Sequence, residues 1–429
     1  MQKFIRLAAI AVCLLLTIQA KSQQDKSFIS DTLSMKLDSV ESVFMHKNLL
    51  LLAQRYNIDA QNALIAQAKL FPNPTLSFGT TFYQTVTRQF FPFGKDGSIS
   101  GGISQVILLA GKHNKQVKIA ESNAQLSQYQ FYDLLRTLKH TLRSDFFNIH
   151  FLLQTAKVYD TEIASLKQVT DAFALHNSKG YISEKEVIRV KAQLYSLQSE
   201  YNDLKNQLND VQNELRLLLQ TKNVIVIPDV DDIALAAMNP SKYPLLEIID
   251  SAYATRPDLK IAKLNTDLSV QNYNLQRSMA VPDLTVQMAY DQQGSYINSL
   301  TTLGFSIDLP FLNRNQGNIK SAKAMIKLNQ ASFESTRASV TEQIYSALQK
   351  AYNNDNLLKS RDTSFEKDFS RLLGEVLKNY QIRNITLLDF LDFYNSFKEN
   401  TTQINSINFN RVNAFEDLNF YSGIDFFKN

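Results

Sequence analysis

Asp389 and Asp392 lie three residues apart in the segment Asn384-Ile385-Thr386-Leu387-Leu388-Asp389-Phe390-Leu391-Asp392. On a helix this spacing puts both carboxylates on one face, and Ser396 and Glu399 continue it. Two roles fit such a stripe. Carboxylates facing an aqueous passage select cations. Acidic residues just after a helix N-terminus are also favoured by the helix dipole and need do nothing but face solvent. Glu184 and Glu186 follow Ser183 in a related place and read as a solvated helix start. The five histidines (His46, His113, His140, His150 and His176) include no pair at i, i+4 ligand spacing. They read as surface or interhelix residues, and no metal site or cofactor is expected. No nucleophile motif, phosphate loop or dinucleotide fingerprint occurs, so no catalysis is expected.

The elements that would position the aspartates begin behind an export signal. Lys3 and Arg6 precede the apolar run Leu7 to Ile18, and Ala20-Lys21-Ser22 is a small-x-small cleavage site. Cleavage is expected after Ser22, with Ala20 as the alternative. The single cysteine, Cys13, falls inside the signal, and the apolar run continues past it as Leu14-Leu15-Leu16. That argues against a lipid anchor and leaves a mature chain without a thiol. Removing Lys3, Arg6 and Lys21 takes the formal charge from +4 to +1. With no Lys/Arg tract, a nucleic-acid partner is excluded as a reading. No later segment carries the roughly 18 apolar residues of a spanning helix. Any entry into a membrane must therefore be made by strands.

The chain is written twice, at an offset of about 200 residues. Gly102-Ile103-Ser104-Gln105-Val106-Ile107-Leu108 matches Gly304-Phe305-Ser306-Ile307-Asp308-Leu309-Pro310, and Val117-Lys118-Ile119-Ala120 matches Ile319-Lys320-Ser321-Ala322. Asn73-Pro74-Thr75-Leu76-Ser77-Phe78 matches Val281-Pro282-Asp283-Leu284-Thr285-Val286, and Gly180-Tyr181-Ile182-Ser183 matches Arg383-Asn384-Ile385-Thr386. Each half orders a helix, a strand pair, a very long helix and a further helix. The expected division is a signal at 1–22, a first repeat at 23–220, a connector at 221–244 and a second repeat at 245–429. In the first repeat, strands fall at about 75–109 and helices at about 112–177 and 183–220. In the second, strands fall at about 283–309 and helices at about 318–378 and 386–421.

The strand pairs alternate with period two. Leu284, Val286, Met288 and Tyr290 alternate with Thr285, Gln287, Ala289 and Asp291; Leu303, Phe305, Ile307 and Leu309 alternate with Thr302, Gly304, Ser306 and Asp308. Leu76, Phe78 and Phe82 do the same in the first half, and Gly94 to Gly97 and Gly294-Ser295 supply turns. Strands of about ten residues suit a transmembrane barrel or a soluble sandwich with one wet face. Four strands cannot close a barrel, and an open edge in lipid leaves backbone groups unsatisfied. The membrane reading therefore predicts a trimer with twelve strands.

Between Gly111 and Gly180 there is neither proline nor glycine. A continuous helix there is about 100 Å long at about 1.5 Å per residue, too long for a compact domain. The second half repeats this between Gly317 and Gly374. Val187, Val190, Leu194, Leu197, Tyr201, Leu204, Leu208, Val211, Leu215 and Leu218 then step by three and four. That heptad implies a left-handed seam against the preceding helix, folded back at Ser178-Lys179-Gly180. Phe390, Phe393, Phe397, Ile404 and Ile407 are a frayed counterpart. Val224-Ile225-Val226-Ile227-Pro228 reads as a short strand and the region around Leu235 as a small helix, a connector on the outside of the rods.

This arrangement resembles the TolC family of outer-membrane efflux proteins over essentially the whole mature chain. The strand-to-helix junctions Leu108-Leu109-Ala110-Gly111-Lys112 and Leu309-Pro310-Phe311-Leu312-Asn313-Arg314-Asn315-Gln316-Gly317 are similar to those of the cobalt-zinc-cadmium resistance subgroup. The resemblance implies a mainly α protein with a membrane β-barrel. Its homotrimer would hold a twelve-stranded barrel in outer-membrane lipid and a long α-barrel in the periplasm. It would form the passive exit duct of a tripartite system, joined through a periplasmic adaptor to an inner-membrane pump, with heavy-metal cations as cargo. It implies that Asp389 and Asp392, continued by Glu399, line the closed end of the pore as rings. It also implies that Ser178, Gly180, Ser183, Asn384 and Thr386 dock the adaptor, with Gly180 supplying a turn and Ser183 and Thr386 capping helices. The chain has no tryptophan, so any aromatic girdle must use residues such as Phe90, Phe91, Phe93, Tyr290 and Tyr296. Two other readings share the rods: a periplasmic coiled-coil adaptor and a trimeric structural stalk without a channel. Adaptors usually have one hairpin and soluble β domains, and a stalk needs no paired aspartates at its tip.

Overall fold

The structure is a computed structural model describing residues 31–427 apart from 294–296 and 383. The expected signal with Cys13, the turn at Gly294-Ser295, and Tyr296 and Arg383 lie outside the described residues. The first repeat runs β1 (Asp31–Met35), α1 (Leu37–Lys47), α2 (Leu49–Ala68), β2 (Thr75–Thr80), β3 (Tyr83–Gln84), β4 (Gln89–Phe90), β5 (Ser98–Ile107), α3 (Lys112–Ser178) and α4 (Glu184–Leu219). A connector follows with β6 (Val224–Pro228) and α5 (Asp232–Ala237). The second repeat runs α6 (Leu245–Thr255), α7 (Pro257–Met279), β7 (Leu284–Gln293), β8 (Ile297–Ile307), α8 (Gln316–Lys359), α9 (Thr363–Gln381) and α10 (Leu387–Ser422).

Helix α3 is unbroken over 67 residues because nothing in it removes a backbone donor or loosens the chain. It ends where Gly180 takes φ +75°, a left-handed turn that a side chain would strain. The chain folds back into α4, whose heptad positions face α3. Val187, Val190, Leu194, Leu197, Leu215 and Leu218 are buried, and Tyr201, Leu204, Leu208 and Val211 are half-buried. The second rod differs from the uninterrupted helix expected at 318–378. It stops at Lys359 and restarts at Thr363. Asn353, Asn354, Asp355 and Asn356 are weak helix formers that compete for backbone hydrogen bonds, and Ser360 Oγ caps the Leu357 carbonyl at 2.9 Å. The aromatic seam continues past the break, with Phe369 edge-on to Phe393 at 4.8 Å and tilted against Phe397 at 5.5 Å.

The strands form one antiparallel sheet in the order β2-β5-β7-β8, so strands from both halves meet where β5 pairs β7. Four rods continue from it, with α2 against α3, α3 against α7 and α7 against α8. Around the middle of the rods sits a collar. Strand β1 pairs in parallel with β6, almost 200 residues away. Leu37, Val40 and Phe44 of α1, Phe146 and Phe147 of α3, Val226, Leu235 and Phe415 share one core. Arg411, 3 % exposed, donates to Asp355 at 2.8 Å and to the carbonyls of Leu235 and Met238 at 2.8 and 2.6 Å. A buried cation costs stability unless its donors are satisfied; here the satisfied donors bind the connector to the rods.

Candidate functional site: a two-faced sheet and an acidic tip

The sheet register sorts side chains onto two unlike faces. Leu76, Ile103, Met288 and Leu303 form one cross-strand row. Gln105, Val286 and Phe305 lie beside it, as do Phe78, Gly101, Tyr290 and Thr301. The opposite face alternates Ser77, Gly102, Ala289 and Thr302 with Thr75, Ser104, Gln287 and Gly304. A water-soluble sheet packs its apolar face against a second layer. Here that face is bare: Leu76, Phe78, Leu303 and Phe305 are 66–81 % exposed. The polar face is a shallow trough lined by Ser77, Ser100, Ser104, Gln287 and Asp291. Strands β2 and β8 are edges of the sheet. Apolar outside, polar inside and edges awaiting closure are the pattern of a barrel strand set in lipid. Among the described residues no helix is long and apolar enough to cross a membrane.

Beyond β2 the chain makes the small hairpin β3-β4, which the alternation did not announce. Phe82 packs edge-on against Phe90 and Phe91 at 5.6 and 5.3 Å. Phe90, Phe91, Phe93 and Tyr290 of the expected girdle are all exposed.

At the far end of the rods, each returning helix begins with a capping box. In α4, the Ser183 N–H donates to Glu186 Oε2 at 3.2 Å and the Glu186 N–H to Ser183 Oγ at 3.3 Å. In α10, the Thr386 N–H and hydroxyl donate to Asp389 Oδ2 at 3.2 and 2.6 Å, and the Asp389 N–H returns to Thr386 Oγ1 at 3.2 Å. Asp389 is thus a helix-start residue, and the Thr386 hydroxyl holds its carboxyl below the usual carboxylate range. It is also exposed, in one stripe with Asp392, Ser396 and Glu399, while Phe390, Leu391, Tyr394 and Lys398 are buried behind. The helix-start role of Asp389 and an exposed carboxylate stripe thus occur together. Ser178, Gly180, Ser183, Asn384 and Thr386 are all exposed at the two turns. Between the turns lies a groove of about 470 Å³ lined by Val169, Phe173, His176, Tyr181, Tyr380 and Leu387, among others. Tyr380 stacks between Phe173 and Phe390, at 5.4 and 4.5 Å.

One group behind the tip escaped sequence reasoning. Glu162 of α3 is 2 % exposed, and neither carboxyl oxygen has a hydrogen-bond partner. Its backbone carbonyl accepts from the Tyr394 hydroxyl. Nearby, Lys398 and Tyr159 donate to Glu200 at 2.7 and 3.2 Å. Burial lifts the Glu162 carboxyl to about 8. The available signal was an acid within the apolar series Tyr159, Ile163, Leu166 and Val169. Among the described residues, no group of three or more His, Cys, Asp or Glu side chains could hold a metal.

A sheet with one lipid-compatible face, carried on rods that no compact domain could hold, defines an outer-membrane channel protein that spans with strands. The model of the family described as outer membrane efflux protein matches residues 44–220 and 248–365, and the chain belongs to that family. The chain is 21 % identical over 317 residues to the cobalt-zinc-cadmium resistance protein CzcC of Cupriavidus metallidurans, covering 73 % of this chain and 72 % of that one. In fold it is similar to the CmeC outer membrane channel of Campylobacter jejuni, with TM-score 0.73, 16 % identity, and 91 % and 86 % of the two chains covered. It is also similar to CusC, whose structures concern transmembrane channel formation, with TM-score 0.74, 14 % identity, and 94 % and 96 % covered. The protein is an outer-membrane efflux channel with its helical part in the periplasm. These relatives are efflux proteins and channels, not enzymes.

Proposed function

We propose that three copies of the chain close a twelve-stranded barrel and form the exit duct of a tripartite efflux system. The observation that carries this reading is the four-stranded sheet, apolar and bare on one face, polar on the other, with edges at β2 and β8. Closure by identical copies satisfies both edges and gives the apolar face to lipid. The duct passes solutes delivered by an inner-membrane pump and performs no chemistry on them. A periplasmic adaptor docks at Ser178, Gly180, Ser183, Asn384 and Thr386, and the aromatic groove between the turns supports a helical-tip partner there. Threefold symmetry turns Asp389, Asp392 and Glu399 into carboxylate rings at the periplasmic mouth, and such rings favour cations. Heavy-metal cations are the cargo this reading names, supported by the similarity to CzcC.

Deleting the gene tests the cargo: zinc, cobalt or cadmium tolerance should fall. Unchanged metal tolerance with new sensitivity to dyes or drugs would replace metals by organic solutes. Asp389→Ala with Asp392→Ala tests the mouth in planar bilayers, where conductance should rise and cation preference should weaken. No change in either would place the constriction elsewhere.

A further inference from the structure

The ends of the four rods nearest the sheet carry charge of one sign. Helix α3 has no acid before Glu121, α7 none after Asp267, α8 none before Glu334 and α2 none after Asp59. The same stretches hold Lys115, Lys118, Arg277, Lys320 and Lys323, and Lys69 follows α2. Cations at the starts of α3 and α8 oppose the helix dipole, and neither first turn holds an acid. Lys112 is neutralised by Asp283 at 2.7 Å. Lys115 donates to the Ala110 carbonyl at 2.6 Å, and Arg277 lies over Tyr273 at 5.9 Å. Lys115, Lys118 and Arg277 converge on a groove of about 500 Å³ between α3 and α7, floored by Gln271, Asn274 and Ser278.

In the proposed ring the groove faces outward, on the side of α3 that carries the collar. Arg143, Lys139, Arg136, Tyr132, Gln125 and Lys118 follow one another along α3 at steps of three, four and seven, so they share a stripe. At its lower end Arg143 and Lys139 bind Glu41 of α1, at 2.5 and 3.4 Å. Helix α1 belongs to the collar, which a ring of rods can carry only on its outside. At the bases of the edge strands, before β2 and after β8, Leu70, Phe71, Leu309, Phe311 and Leu312 are 62–93 % exposed. Lys118 lies six residues into α3, about 9 Å along the axis. A snorkelling lysine there reaches the headgroup layer beneath an apolar belt.

We propose that this groove, repeated in the basic positions Lys69 and Lys320, binds the phosphates of anionic phospholipid on the periplasmic leaflet and so fixes the depth of the barrel. The inference rests on the outer-membrane reading and adds the lipid class and the residues. The lipid phosphate supplies the anion that the helix starts lack, and its acyl chains cover the exposed strand-base residues.

The test uses full-length protein in detergent, titrated separately with phosphatidylglycerol, phosphatidylethanolamine and inorganic phosphate, and read by native mass spectrometry. The wild type should retain phosphatidylglycerol over phosphatidylethanolamine. Lys118→Gln with Arg277→Gln, both exposed positions, should weaken that retention about thirtyfold, from about fivefold per cation, with unchanged oligomer mass. Equal retention of the two lipids by the wild type, an unaltered preference in the variant, or retention of inorganic phosphate in place of lipid would each overturn the proposal. A detergent-bound oligomer without lipid preference removes this inference alone. A water-soluble monomer removes the channel reading beneath it.

Discussion

Asp389 holds a helix cap and, in the proposed duct, also lines the mouth, and substitution separates the two. Its carboxylate closes the capping box of α10, whereas Asp392, one turn on, has no part in that cap. Asp389→Ala should open the capping box and loosen the tip helix, seen as faster amide exchange near Thr386. Asp392→Asn should leave exchange unchanged and shift the reversal potential in a salt gradient toward weaker cation preference. Glu162 sets a different dependence. Its folded value, about 8, lies above its ordinary 4.5 because burial disfavours the charge. The folded state therefore holds this proton more tightly than the unfolded chain. The contribution is complete below about pH 4.5 and is lost as pH rises through 8. Glu162→Gln should raise the melting temperature at pH 8.5, change it little at pH 4, and so flatten the profile between. At this scale sequence spacing put Asp389, Asp392 and Glu399 on one stripe. The buried role of Glu162 depends on which helix covers it, and that is tertiary.

The helical hairpins stand on their seams. Leu197 is completely buried between the hairpins, in a cluster with Leu166, Val190 and Tyr394. Leu197→Ala should lower unfolding stability by about 2–5 kcal/mol, measured by denaturant melts of the detergent-solubilised protein. The sheet makes a sharper contrast. Leu303→Lys puts a charge on the bare apolar face and should cost about 2–4 kcal/mol near mid-membrane, cutting the fraction recovered in the outer-membrane pellet. Thr302→Lys, one residue away on the polar face, should leave recovery unchanged. Equal recovery of the two variants would mean that neither face meets lipid. The heptad of α4 and the period-two strands were legible because each repeats one local rule. Two features were not. The pairing of β1 with β6 joins distant segments that carry no local mark of each other. The interruption after Lys359 comes from asparagine-rich helix, whereas the reading of rod length rested on glycine and proline.

The whole molecule is a chain of two like halves whose strands meet at β5 and β7, and whose sheet ends in open edges at β2 and β8. The duplication makes the halves able to alternate around a ring, and the edges make a ring necessary in lipid. The collar, tied in by Arg143 with Glu41 and Glu416 and by Arg411 with Asp355, lies at mid-length of the rods, away from both the sheet and the tip turns. The mass of the membrane-extracted particle, by light scattering corrected for bound detergent, tests this account most directly. Three chains per particle is the predicted result, since three copies supply twelve strands and close both edges. A monomer or dimer that stays in solution without detergent would contradict it, because a four-stranded sheet with a bare apolar face could then be no part of a closed barrel.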